Sequence, residues 1–488
     1  MHNKLIMKSK NLILLMGLQL FFLTTVIADI RLPTVLTDGM VLQRDKAITI
    51  WGWADAQEKL KVSLGNDSAT TKADRSGQWS VSLKAQKANS EGQLLTIKGN
   101  NTIRIKDVLI GEVWLASGQS NMEFRMNQTA NKDDIAKAKY PNIRLFHVKK
   151  NKSAFGLDNV QGSWQKCTPE SVATFSAVAY HYGKNLHENL NIPIGLISAA
   201  VGGTQIEPWT PLEGFQQKEI LKEYADLVAG YTKNTRVLHT SPSAYYFAMI
   251  HPLLKLKLRG LIWYQGECSL GQKGDGAIYT DKTYALIKGL RDNFQQEDLS
   301  FYFVQMPPFL YVGRFKKQCT KTLTVESLPL FNEAQMNCLK TIPNSGMVVV
   351  SDKIDKVQGI HPTNKAVVGY RLSLWAMAKN YGRPNIVYSG PLYKSYKVSG
   401  NKIIIEFDHV GSGLTTLDGA ALTHFQIAGK DRKFIEAKAS VVGKTILVES
   451  SNIRSPMAVR FSWHEAAIPN FANAEKLPAS PFRTYDWK

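Results

Sequence analysis

Four short stretches carry residue types that can do acyl-transfer chemistry. In the first, the strand candidate Val108–Ala116 leads through Gly118 and Gln119 to Ser120. A strand that turns sharply into a helix at this point would expose the Ser120 hydroxyl. It would also aim the helix N–H groups and positive end at developing negative charge. The logic is that of a nucleophile elbow, but the pattern is not G-x-S-x-G, because position 122 is Met. A serine that only caps a helix has the same local signature. The second stretch, Ser198–Trp209, ends a strand in Gly202 and Gly203, whose backbone can approach a ligand closely enough to donate an N–H to an oxyanion. An ordinary glycine turn looks alike. The third, Trp263–Cys268, offers Gln265 as a side-chain N–H donor and Glu267 to order the site or bind sugar hydroxyls. Cys268 reads as structural. The fourth, Gly359–Pro362, places His361 at the start of a helix, where an imidazole can take a proton from a serine and return it to a leaving alkoxide, or simply cap the helix. Each stretch taken singly has a bland reading. Together they place nucleophile, amide donors and base at successive strand-to-loop junctions.

The elements that would position these residues follow from periodicity. Residues 29–107 alternate apolar and polar side chains in short runs such as Ala47–Trp53, Leu60–Leu64 and Trp79–Leu83, separated by Gly and Asn/Asp turns, as in a β-sandwich. From 108 to 386, short apolar strands alternate with helical stretches: strands at Val108–Ala116, Ile194–Ala200, Gly260–Tyr264, Phe301–Gln305 and Met347–Ser351, and helices at Phe175–Asn189, Tyr284–Phe294 and Pro362–Lys379. That alternation predicts an α/β layer, a doubly wound parallel sheet covered on both faces. Such sheets bind ligands beyond the carboxyl ends of their strands. Residues 387–488 return to β patterning. The fold expected is thus an α/β layer flanked by N-terminal and C-terminal β domains.

The blocks Gly118–Met122, Gly202–Trp209, Trp263–Glu267 and Ile360–Pro362, with Met40–Arg44, Met249–Leu254 and Leu477–Thr484 outside the site, resemble the sialate O-acetylesterases, carbohydrate esterases within the SGNH (GDSL-like) hydrolases. The resemblance spans nearly all of the chain after residue 28. It implies an SGNH-type sheet with Ser120 as nucleophile, His361 as general base, and an oxyanion hole from the Ser120 N–H, a Gly202 or Gly203 N–H and Gln265. Many SGNH hydrolases carry an Asp three residues before the histidine. Gln358 stands there instead. Either Ser120 and His361 act as a dyad with a backbone carbonyl orienting the imidazole, or Asp352 or Asp355 takes that place. The implied reaction is deacetylation of O-acetylated sialic acids. Acetylated xylan or another polysaccharide is the alternative substrate. A non-catalytic secreted glycan-binding protein is the alternative of a different class. No metal or organic cofactor is expected.

Composition narrows the setting. The 488 residues are 44% hydrophobic and 20% charged, which excludes a disordered chain and calls for two or three domains. The formal charge of +20 comes from Lys and Arg scattered along the chain, without runs interleaved with aromatics, so a basic solvated surface is expected and no nucleic-acid partner. Residues 1–28 read as a cleaved signal peptide: Lys4, Lys8 and Lys10, then an apolar stretch, then Val26, Ile27 and Ala28. The expectation is a secreted or periplasmic protein (lysosomal in a eukaryote) without stable membrane insertion. Of the four cysteines, Cys319 and Cys338 lie closest and form the most natural disulfide pair in an oxidising compartment.

Overall fold

The structure is a computed structural model that describes residues 29–270, 275–315 and 323–487. Residues 1–28, expected from the sequence to be a signal peptide, and Cys319 lie outside those residues. Cys167 and Cys338 carry free thiols, and burial pushes the Cys338 thiol up to about 12.

The N-terminal region is built from β1 (Val41–Gln43), β2 (Ile48–Trp53), β3 (Lys59–Leu64), β4 (Asp67–Lys72), β5 (Gln78–Leu83) and β6 (Asn89–Lys98). β2 pairs antiparallel with β5, and β3 with both β4 and β6. In β5 the residues alternate exposed and buried, so Trp79, Val81 and Leu83 line one face, the period-two signature of a half-buried strand.

β7 runs for 17 residues, Thr102–Gly118. Its first part pairs with β6; from Val108 onward every residue is buried. Continuous burial is what a strand covered on both faces requires. The change from alternating to continuous pattern falls at 107/108, where Asp107 takes a positive φ of 58°, yet the strand continues through it. One continuous strand thus runs from the N-terminal β sheet into the central sheet.

β7 is also the pivot of the central sheet. β8 (Tyr140–His147), β9 (Trp164–Cys167) and β10 (Ile194–Ala200) lie on one side of it, and β11 (Gly260–Tyr264), β12 (Ser300–Val304) and β13 (Ser345–Val348) on the other, in the order β13-β12-β11-β7-β10-β8-β9. All neighbours in this series are parallel except β9, which hairpins back antiparallel on β8 and makes the sheet mixed. Chain direction across the sheet reverses at β7, so a crevice opens at its carboxyl end.

Successive residues of β7 feed opposite cores. Trp114 and Ala116 join helices Ala177–Leu190 and Lys365–Asn380 through Val178, Tyr182, Leu372 and Trp375. Val113 and Leu115 join helices Asp275–Phe294 and Ser327–Thr341 through Leu286, Leu290, Phe331 and Cys338, in a cluster that also takes in Ile50 and Trp79 of the N-terminal region. Residues from Leu392 onward form antiparallel sheets around a separate core of Ile403, Ile405, Phe425, Val448, Phe461 and Phe482. This region is tied to the α/β layer by the Arg483–Glu333 pair at 2.9 Å and by Gln305 Nε2 donating to Ser480 Oγ at 2.8 Å.

One element starts later than its sequence suggests. The helix expected from Pro362 begins at Lys365, with the Asn364 side chain accepting the Val367 N–H. Pro362 and Thr363 belong to a turn, because Asp355 accepts both the Thr363 N–H and the Thr363 hydroxyl at 2.8 Å and holds them out of the helix.

Candidate active site

β7 ends at Gly118 with φ +134°, a conformation that only glycine adopts without strain. A Cβ there would lie 2.2 Å from the Tyr264 carbonyl oxygen of β11. The close approach lets Gln119 N–H donate to that oxygen at 3.0 Å and start the short helix Ser120–Glu123. Ser120 therefore stands at the carboxyl end of the pivot strand, as the first residue of a helix whose leading N–H groups have no intrahelical acceptor.

His361 meets it from the far side of the crevice. Its Nε2 lies 2.8 Å from Ser120 Oγ, although the residues are 241 positions apart. The Phe124 ring flanks the imidazole, with centroids 5.8 Å apart. A serine hydroxyl hydrogen-bonded to an imidazole nitrogen can be deprotonated as it attacks a carbonyl.

The sequence-derived site residues are placed as follows. Gly202 lies beside Ser120: a Cβ on it would sit 3.3 Å from Ser120 Cβ. Its N–H donates to Glu123 Oε2 at 2.7 Å, and Glu123 Oε1 pairs with Lys150 at 2.5 Å. Gly203, at φ +77°, instead turns the chain away, and its carbonyl lies 3.0 Å from His239 Nε2. Gly202 is thus the glycine next to the hydroxyl.

Gln265 does not offer a donor to the crevice. It is fully buried, and its Nε2 donates to Gln119 Oε1 at 3.1 Å and Ser269 Oγ at 3.0 Å, while its Oε1 accepts the Tyr279 hydroxyl at 2.7 Å. Both amide protons are used, and the side chain orders Gln119 from behind. Glu267 likewise does not face sugar hydroxyls: it is 3% exposed and its Oε1 accepts Asn121 Nδ2 at 2.5 Å. Burial raises its pKa. Asp352 is held by the Arg371 fork at 2.6 and 2.8 Å, with Lys353 at 3.4 Å, so this carboxylate anchors the helix Lys365–Asn380 rather than the imidazole. Asp355 orders the turn that carries His361 through its bonds to Thr363.

Sequence reasoning missed Glu123, Asn121 and Lys365. Asn121 Nδ2 donates to the Ile360 carbonyl at 3.1 Å, and its Oδ1 accepts from Lys365 Nζ. Lys365 is fully buried, its ammonium over the Phe124 and Tyr264 rings at 5.0 and 5.2 Å. Burial lowers its pKa to about 7, opposed by the Glu267 and Asp355 charges. Asn121 sits inside the block that drew attention to Ser120, so adjacency alone flagged it. Nothing in the sequence marks a lysine one turn beyond His361 as buried. Among the described residues, no group of three or more His, Cys, Asp or Glu side chains is arranged to hold a metal ion.

This geometry coincides with relationships to known proteins. Residues 110–372 match the family model of carbohydrate esterases described as sialic acid-specific acetylesterase, a span that includes both Ser120 and His361. The chain belongs to the sialic acid-specific acetylesterase family. Sialate O-acetylesterase of Homo sapiens is 28% identical over 496 residues, covering 93% of this chain and 92% of that protein. The Rattus norvegicus enzyme is 30% identical over 532 residues, with 93% and 94% covered. A solved carbohydrate acetylesterase from Xanthomonas citri superposes with a TM-score of 0.83 at 34% identity, covering 94% of this chain and all of that one. As a member of the family, the chain is a carboxylic-ester hydrolase acting on acetylated carbohydrate. Among the described residues, no helix of this acetylesterase is long and apolar enough to cross a membrane.

Proposed function

We propose that the chain removes O-acetyl groups from sialic acids, with Ser120 as nucleophile and His361 as general base. The observation that carries this reading is the 2.8 Å contact between His361 Nε2 and Ser120 Oγ at the carboxyl end of β7. His361 takes the hydroxyl proton as Ser120 attacks the acetyl carbonyl. The negative oxygen that forms is received by the Ser120 and Gly202 N–H groups. That the Gly202 amide can hold a negative oxygen is supported by its 2.7 Å bond to the Glu123 carboxylate, which the oxyanion replaces. Each such donor is worth about 10²–10³ in rate. His361 then protonates the departing sugar oxygen, and water clears the acetyl-enzyme with His361 again acting as base. Asp355 orients the base through the Thr363 turn; no carboxylate of Asp352 is needed.

The sialic acid preference is supported by the names of the mammalian relatives, and the basic overall charge suits a carboxylate sugar. Residues 1–28 are read as a secretory signal, which N-terminal sequencing of the mature protein tests. The function is tested by acetate release from O-acetylated sialic acid and from acetylated xylo-oligosaccharides. Wild type releases acetate faster from the sialic acid; Ser120→Ala and His361→Ala release none above background. Faster turnover of the xylo-oligosaccharides would move the substrate to neutral polysaccharide. Glycan binding without acetate release would make the chain a lectin.

A further inference from the structure

We propose that the Asn121 side-chain amide is the positioning group that sets Ser120 against His361, and that Lys365 and Glu267 lock its orientation. The inference rests on the proposed roles of Ser120 and His361. Asn121 follows Ser120 directly, and Ile360 directly precedes His361. One amide therefore ties the residue after the hydroxyl to the residue before the imidazole, at 3.1 Å across 239 positions. Nucleophile and base come from separate elements, β7 with its helix and the 351–363 turn, so their relative placement has to be fixed by such a contact.

The amide cannot turn over. Its oxygen accepts from Lys365 Nζ, an N–H donor in either protonation state. Its nitrogen donates to Glu267 Oε1 at 2.5 Å and to the Ile360 carbonyl, an obligate acceptor. Flipping it would set oxygen against oxygen at two contacts. All three side chains are buried: Asn121 and Lys365 fully, and Glu267 at 3% exposure. Burying a lysine and a glutamate there opposes folding unless their charges are compensated. The titratable groups that act on this pair are Asp355, Tyr264, Tyr279 and Tyr311, and the Lys365 and Glu267 charges oppose each other within it. The arrangement explains why this pair lies behind the crevice without touching it.

A polarity swap separates positioning from mere support. Asn121→Asp places a second acceptor opposite Glu267 and the Ile360 carbonyl. Adding Glu267→Gln returns a donor at position 267 and restores the original net charge of the cluster, but the Ile360 contact stays broken. Melting temperature, kcat and KM for an aryl acetate are measured for Asn121→Ala, Asn121→Asp and the double variant. The expected result for Asn121→Ala is a kcat lower by about 10²-fold with KM nearly unchanged, the scale of a 1 Å misplacement. Asn121→Asp loses both melting temperature and kcat. In the double variant, melting temperature recovers while kcat stays low. Recovery of kcat together with melting temperature would reduce Asn121 to a structural residue and overturn the proposal, as would wild-type kcat in a folded Asn121→Ala. A double variant that does not fold would overturn the claim that this polarity is what holds the cluster. Ser120→Ala is measured alongside: if it still turns over the aryl acetate, the roles of Ser120 and His361 fail first, whatever Asn121 does.

Discussion

Gly118→Ala probes how β7 delivers Ser120. The new Cβ would stand 2.2 Å from the Tyr264 carbonyl oxygen and 2.8 Å from its carbon, both backbone atoms of the neighbouring strand. An ordinary carbon–oxygen contact is about 3.3 Å or more. The two strands must therefore separate by about 1 Å at this point, and a residue with a side chain must also hold φ near +134°, a conformation costing about 1–3 kcal/mol. The displacement acts two residues before the nucleophile and on the same carbonyl that receives the Gln119 N–H. Misplacing a reacting group by 1 Å costs about 10²-fold. The expected outcome is a variant that still folds, melts several degrees lower, and hydrolyses an aryl acetate with kcat reduced about 100-fold. Thermal melting and steady-state kinetics on the same preparation check it. A folded Gly118→Ala with wild-type kcat would show that Ser120 does not depend on the β7–β11 approach, and the reasoning from the turn would be wrong.

Glu123→Ala frees the Gly202 N–H that now donates to the carboxylate. It is expected to raise kcat/KM for a small aryl acetate a few-fold; a fall of tenfold or more would mean that Glu123 holds the turn instead. Asp352→Ala leaves the buried Arg371 guanidinium unpaired, at 6% side-chain exposure, and is expected to destabilise the fold by about 3–5 kcal/mol in denaturant titrations. The residual folded enzyme should keep the wild-type pH profile, whereas a member of the triad would change it. Lys365 titrates at about 7 when folded against an ordinary 10.5. Between these values the unfolded chain binds a proton that the native chain does not, so the lysine's contribution to stability rises with pH across that window. The stability difference between wild type and Lys365→Met is therefore expected to shift in favour of wild type from pH 7 to pH 10, and an unchanged difference would place the Lys365 pKa near its ordinary value.

The sequence was informative where chemistry is local. Burial along β7 becomes continuous from Val108, but periodicity cannot show that one strand spans the change, because its pairing partners lie far along the chain. Strand ends at Gly118, Ala200 and Tyr264 were readable from apolar runs meeting glycine or polar residues, and parallel pairing brings all three ends to one edge. The proximity of Ser120 and His361 follows from that edge and from the turn after β13. What was not legible was orientation. Gln265 and Glu267 sit in the right stretch, yet their side chains point into the interior, a choice made by Tyr279 and Asn121 from other elements and by Ser269 four residues beyond Gln265. Pro362 looked like a first helical residue, but the Asp355 contacts to Thr363 move the start of the helix to Lys365.

Active-site labelling tests the role of Ser120 most directly. The enzyme is treated with a serine-reactive organophosphonate, digested and analysed by peptide mass spectrometry, with acetate release from O-acetylated sialic acid followed in parallel. The expected result is stoichiometric phosphonylation of the peptide bearing Ser120, loss of acetate release in proportion, and no labelling in His361→Ala. Phosphonylation of a different residue, or full acetate release after Ser120 is blocked, would contradict it.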